Sequence, residues 1–227
     1  MNHSKLGIGV MARAPSVGKT RLAPHLSPQR LETLRAALLA DTLDVVSRAC
    51  AKGDEAVIFF TPAGSENEIA TLAPNSVART LQVNGDLGQR MRAALEELLD
   101  ARRCDAALLV GSDIPLLSVA TLIEARDAAL SQDRVVLGPA DDGGYYLIGM
   151  SRPHADVFEG IQWSTPGVLA GTLRAAGQRG IKTCLVRRAY DIDTIEDLRR
   201  VERDLETAPD VVAPRLRRWF RADRDRD

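Results

Sequence analysis

GVMARAPSVGKTRLAPHL, residues 9–26, reads as a buried strand that empties through a short basic loop into the approach to a long helix. Leu6 to Ala12 carry the apolar run of a first strand, Lys19 and Arg21 follow in the loop, and Ser27 can cap the next helix with Pro28 at its first position. In an α/β fold the carboxyl end of the first strand is where free backbone N–H groups and cations hold a phosphorylated ligand. Gly18, Lys19 and Thr20 satisfy the second half of a Walker A loop. Arg13, however, stands where that loop needs a glycine for its sharp turn, so a P-loop NTPase is not the reading. The plain alternative is a solvated basic turn, and loops further along the chain favour the ligand site over it.

Outward from this stretch, strand-like and helix-like runs alternate, the signature of a mostly parallel sheet covered on both faces. Leu31, Leu34, Leu38, Thr42, Val45 and Val46 repeat at helical spacing. Glu55 to Thr61 is a buried strand, Glu66 to Leu72 a short helix, and Ala78 to Val83 another strand. Asp86 can cap a helix through Met91, Leu95, Leu98 and Leu99. Asp105 to Val110 is continuously apolar after its first residue, as a central strand should be. A helix from about Val119 to Leu130 precedes Val135 to Leu137, the loop GPADDGG and a returning strand, YYLIGM. A helix over Val168 to Gln178, a strand through Ile181 to Val186 and a helix from Ile195 to about Leu205 complete the pattern.

The 227 residues suit one domain over residues 1–208, followed by a charged tail, 209–227, expected as a frayed solvated terminus. A balance of 30 basic against 31 acidic residues argues against a general nucleic-acid binder. Cys50, Cys104 and Cys184 make no metal-ligand pair and are expected reduced and buried; His3, His25 and His154 are expected at the surface or as caps. With no membrane-length apolar run and no signal peptide, a cytoplasmic location is expected.

Four loops fall at strand ends, where a doubly wound sheet gathers its ligand crevice. Lys19 and Arg21 belong to the first, Asp86 and Arg90 to the second. Asp113, in GSDIP, is placed either to hold Mg²⁺ (or Mn²⁺) together with substrate phosphates or to serve as a turn carboxylate. Asp141 and Asp142, before Gly143 and Gly144, suit ligand hydroxyls or an acceptor, and equally a hairpin turn. Asp191 and Asp193 flank Ile192, so an extended segment sends both carboxylates to one side as a further metal contact; capping explains Asp193 or Thr194 as well. Trp163 can wall an acceptor pocket with Ser164 and Thr165, or fill the core.

Taken in order, KTRLAPHLS, GDLGQRM, GSDIPLL, GPADDGGYYLIGM, FEGIQWST and DIDTIEDL resemble the rSAM/selenodomain-associated transferase family, whose members are often labelled glycosyltransferases. The resemblance runs from about Leu6 to Leu198. It implies a GT-A type, Rossmann-like α/β fold of the nucleotide-diphospho-sugar transferases: a mixed, mostly parallel sheet flanked by helices on both faces, with a metal-binding Asp after the central strand, here Asp113. Gly111 replaces the first acid of an Asp-x-Asp motif, which leaves metal binding more dependent on Asp193 or on substrate phosphates. KTRL and the terminal DIDT-x-EDL are also similar to the guanylyltransferases that activate 2-phospholactate or phosphoenolpyruvate.

The expected function is Mg-dependent nucleotidyl transfer from an NTP to a small phosphorylated or acidic acceptor. Lys19 and Arg21 would act with Asp113 as the catalytic set, Asp113 and Asp193 as metal ligands. Arg13, Asp86, Arg90, Asp141, Asp142, Gly143, Gly144, Trp163, Ser164 and Thr165 would bind substrate. Glycosyl transfer from a nucleotide sugar and non-catalytic nucleotide binding are the alternatives. The expected partners are the nucleotide and a small-molecule acceptor, without nucleic acid or membrane; a homodimer stays open.

Overall fold

The computed structural model describes residues 4–224; His3 and the last three residues of the tail lie outside the described residues. Seven strands in that range, β1 (Leu6–Arg13), β2 (Glu55–Thr61), β3 (Ala78–Leu81), β4 (Ala106–Gly111), β5 (Val135–Pro139), β6 (Tyr145–Met150) and β7 (Thr183–Leu185), form one sheet. Its order is β3-β2-β1-β4-β6-β5-β7. Only the pairs made by β6 are antiparallel, with β4 and with β5. The reason is local, because the loop between β5 and β6 is too short for a crossover and the chain must turn straight back.

Chain order reverses between β1 and β4. From β1 the chain builds outward through β2 and β3, then returns to lay β4 against the other edge of β1. A crevice opens outside the carboxyl ends of two such strands. Helices α1 (Pro28–Ala49), α2 (Glu66–Leu72) and α4 (Val119–Ser131) cover one face; α3 (Leu87–Glu96) and α5 (Val168–Gln178) cover the other. The alternation of strand side chains sorts the core accordingly. Ile8, Val10, Ile58, Phe60, Leu108 and Val110 pack with Leu39, Leu43 and Val46 of α1. Val57, Phe59, Ala107 and Leu109 pack with Met91, Leu95 and Leu98. Towards this second face β1 presents glycine: a Cβ on Gly9 would stand 2.5 Å from Leu109 Cδ2 and 2.8 Å from Phe59 Cε2.

The cap of α1 is as the sequence suggests, with Ser27 Oγ accepting from the Arg30 N–H. β3 ends at Leu81, short of Val83, because the Gln82 amide turns inward and donates to Ala12 O at 3.1 Å and Phe59 O at 2.7 Å. β7 is also shorter than expected. His154 is buried, not at the surface, and pairs with Asp133 at 2.8 Å. All three cysteines are free; Cys104 is buried, Cys50 and Cys184 half-buried. No helix among the described residues is long and apolar enough to cross a membrane.

The solvated tail requires correction. After α6 (Ile195–Thr207), residues Pro214–Arg224 form an amphipathic helix, α7, with Leu216 and Trp219 buried against α1 and α6. Composition hid this because arginine dominates the segment while its few apolar residues share one face. Buried Asp41 of α1 receives the start of α7, accepting from the backbone N–H groups of Arg215 and Leu216 and from the Arg215 guanidinium at 2.9–3.2 Å. Trp219 Nε1 donates to Arg30 O and Thr33 Oγ1, and the Arg30 guanidinium lies 3.7 Å from the Trp219 ring centroid. Trp219→Ala is expected to cost about 3–5 kcal/mol in urea denaturation; a solvated tail would show no change.

Candidate functional site

The crevice at the reversal is a cleft of about 590 Å³. It is lined on one side by the loop after β1 and the start of α3, and on the other by the exits of β4 and β5 and the approach to α5. The basic loop is held open by its own backbone: Gly18 has φ +101° and Lys19 φ +48°, so two successive residues take left-handed conformations. Leu22, fully buried, pins the turn that follows. Glu68 of α2 accepts from Ser16 N–H and Oγ at 2.6 and 2.8 Å, and Arg35 of α1, at the cleft wall, donates to Pro15 O. This bracing aims Lys19 across the crevice.

Lys19 Nζ lies 2.9 Å from Asp113 Oδ2 and 3.7 Å from Asp193 Oδ1, and donates to Ile192 O. Arg21 reaches Asp193 Oδ2 at 3.3 Å from a largely exposed position. The segment Asp191–Asp193 is tied down by Ile192 N–H, which donates to Asp113 O at 3.3 Å, and by burial of the Ile192 side chain. Ile192 thus points into the core while its neighbours point into the cleft, as alternation requires. Asp113, Asp191 and Asp193 each bring one carboxylate oxygen within 4.8 Å of the others. Burial, then the charges of Asp113 and Asp142, push the Asp191 carboxyl up to about 6. Three hard oxygen donors so arranged fit a small divalent cation.

Of the other expected residues, Arg13, Arg90, Asp142, Gly144, Trp163, Ser164 and Thr165 line the same cleft. Arg90 is held by Asp86 O at 3.2 Å and Gln82 Oε1 at 3.3 Å. Three expected residues do other work. Asp86 is spent as the N-cap of α3 in a reciprocal capping box with Gln89. Asp141 turns away to Arg200 at 2.7 Å. Gly143, at φ +88°, gives room to the Pro166 carbonyl, which a Cβ would meet at 2.2 Å. Sequence reading passed over Gln82 and Arg35, both of which line the cleft. Gln82 falls in an expected strand and Arg35 in an expected helix, and the partners of neither give a local signal.

Trp163 lines the cleft and is also packed: a Cβ on Gly88 would stand 2.4–2.7 Å from the indole. The glycine in the first turn of α3 is therefore a seat for this ring, joining the two halves of the cleft.

Residues 42–165 match the family described as uncharacterized protein conserved in bacteria, DUF2064, and the chain belongs to that family. It is 30% identical over 185 residues to a 2-phospho-L-lactate guanylyltransferase of Methanothermobacter thermautotrophicus, covering 79% of this chain and 76% of that one. It is 31% identical over 187 residues to a phosphoenolpyruvate guanylyltransferase of Sphaerobacter thermophilus, covering 81% and 86%. A crystal structure from Desulfovibrio desulfuricans, provisionally assigned as a nucleotide-diphospho-sugar transferase, superposes with a TM-score of 0.87 at 26% identity, covering 98% and 96%. The fold is that of the nucleotide-diphospho-sugar transferases, and the chain is a transferase.

Two outcomes follow from the site's packing and charge. Gly88→Ala is expected to displace Trp163, read as a red shift of its emission in a Trp219→Phe background; an unchanged spectrum would contradict the seat. Asp191 has a raised carboxyl pKa. Its ionisation therefore opposes folding, with a cost that is absent at about pH 4, sets in as pH rises towards 6 and persists above it. Asp191→Asn should raise the metal-free melting temperature at pH 8 and change it little at pH 4.

Proposed function

We propose that this member of the DUF2064 family is a metal-dependent nucleotidyltransferase of the cytoplasm. It would move the nucleoside monophosphate group of an NTP, with GTP favoured, to a small phosphorylated or acidic acceptor. The observation that carries the reading is the Lys19–Asp113 contact at 2.9 Å, which brings a cation of the basic loop and a carboxylate of the central strand's exit to one point in the crevice. The names of the two guanylyltransferase relatives support the reaction class and the base.

In this mechanism an acceptor oxygen attacks the α-phosphorus, the bond from that phosphorus to the bridging oxygen breaks, and pyrophosphate leaves with the electron pair. Such transfer needs positioning and charge stabilisation more than a protein nucleophile. Lys19, Arg21 and Arg13 supply positive charge where the phosphates would lie. Asp113, Asp191 and Asp193 would hold Mg²⁺ or Mn²⁺, which when bound neutralises charge building on the phosphate oxygens. Arg90 stands at the base end, its fork suited to the O6 and N7 acceptors of guanine. Asp142, Gly144, Trp163, Ser164 and Thr165 shape the acceptor side.

Glycosyl transfer from a nucleotide sugar is the second reading, supported by the assignment given to the Desulfovibrio structure. A donor panel with Mg²⁺ separates the two. Stabilisation by GTP, with pyrophosphate release once an acceptor is present, is the expected result; preference for a nucleotide sugar favours the second reading, and no turnover with any donor removes both. Lys19→Ala should lower the rate by about 10²-fold or more, the usual loss of one group that stabilises transition-state charge. Asp113→Asn should lose activity and, in melting curves, the Mg²⁺-dependent part of stabilisation by GTP.

A further inference from the structure

The acidic triad already holds a cation of the chain's own. Lys19 Nζ sits 2.9 Å from Asp113 Oδ2 and 3.7 Å from Asp193 Oδ1, donates to Ile192 O as well, and its side chain is only 9% exposed. Arg21 also touches the triad, at Asp193, but with 73% of its side chain exposed it can leave into solvent without loss of packing. Lys19 has no such freedom. Its backbone is fixed in a left-handed conformation beside Gly18, and its loop is braced by Glu68 and Arg35.

A small divalent ion takes carboxylate oxygens at about 2.0–2.2 Å. An ammonium within hydrogen-bond distance of Asp113 and close to Asp193 fills much of that coordination space and repels a second cation there. The ammonium cannot simply withdraw, since it would lose its partners while still largely out of water. It needs another anion within reach of the same side chain, and the loop that carries it is where a triphosphate would lie.

The geometry points to Lys19 as an internal counter-ion that keeps the metal site filled until a nucleotide's phosphates draw the ammonium away. Free divalent metal then binds weakly, while metal and donor bind with strong positive coupling. By linkage each raises the other's affinity by the same factor. The inference rests on the nucleotide-site reading above, and it makes Lys19 an antagonist of metal binding in the free protein as well as a phosphate ligand in the complex. A lysine whose only role is to bind phosphate would leave affinity for free metal unaltered.

The test is Mn²⁺ binding to the full chain without nucleotide, by electron paramagnetic resonance, in wild type, Lys19→Met, Lys19→Gln and Lys19→Met/Asp113→Asn. Melting curves identify which variants fold, and either Lys19 variant suffices. The expected result is Mn²⁺ bound about 5- to 150-fold more tightly without the ammonium, the common range for coupled sites. That gain should vanish in the double variant. Equal or weaker binding in folded Lys19 variants overturns the inference, as does a gain that survives loss of Asp113. Failure of the nucleotidyl reading shows separately, as no stabilisation of the wild type by any NTP with Mn²⁺.

Discussion

One ion pair holds the architecture of the site: Lys19 to Asp113, joined across 94 residues of sequence. It exists because β4 returns to the free edge of β1, which sets the loop after the first strand beside the exit of the fourth. The same contact gathers Asp193 and the Ile192 carbonyl, so the segment before α6 is drawn into the crevice by polar bonds above and by the buried Ile192 side chain below. Each half of the pair would be an ordinary loop residue by itself. Together they make a place where an anion and a divalent cation can meet.

The rest of the cleft shows the cost of such convergence. Burial, and after it the charges of Asp113, Asp142 and Asp193, push the Asp191 carboxyl up to about 6. Like charges so arranged oppose folding, and the surrounding frame must over-determine them. It does so through rigid packing: Gly9 lets the sheet meet its second face, Gly88 seats Trp163, and Gly143 lies against the Pro166 carbonyl. A Cβ at any of these points would spread elements that carry cleft residues.

Most of this frame was legible in the sequence because it rests on local signals. Ser27 and Pro28 announce α1, Asp86 announces α3, and the alternation about Ile192 sends both flanking acids one way. Lys19, Asp113, Asp142 and Gly144 stand in loops that follow strand exits, where topology alone assigns direction, whereas Trp163, Ser164 and Thr165 stand in the loop before α5. What stayed hidden depends on partners distant in the chain. Asp141 carries the same local pattern as Asp142, yet Arg200 draws one away while the other faces the cleft. Gln82 gains its role from the carbonyls of two other strands, and Asp41 from the start of a helix 174 residues further on. The arginine-rich terminus looked solvated because Leu216 and Trp219 are few, although both are buried.

The central claim, that Lys19 and Asp113 act on one ligand at one point, is tested most directly by a double-mutant cycle in nucleotide binding. Calorimetry with GTP and Mn²⁺ would compare wild type, Lys19→Met, Asp113→Asn and the double variant. The account predicts losses that fail to add, with a coupling of about 0.5–3 kcal/mol as expected for groups sharing one network. Strictly additive losses, or single variants that bind the nucleotide as well as wild type, would contradict it.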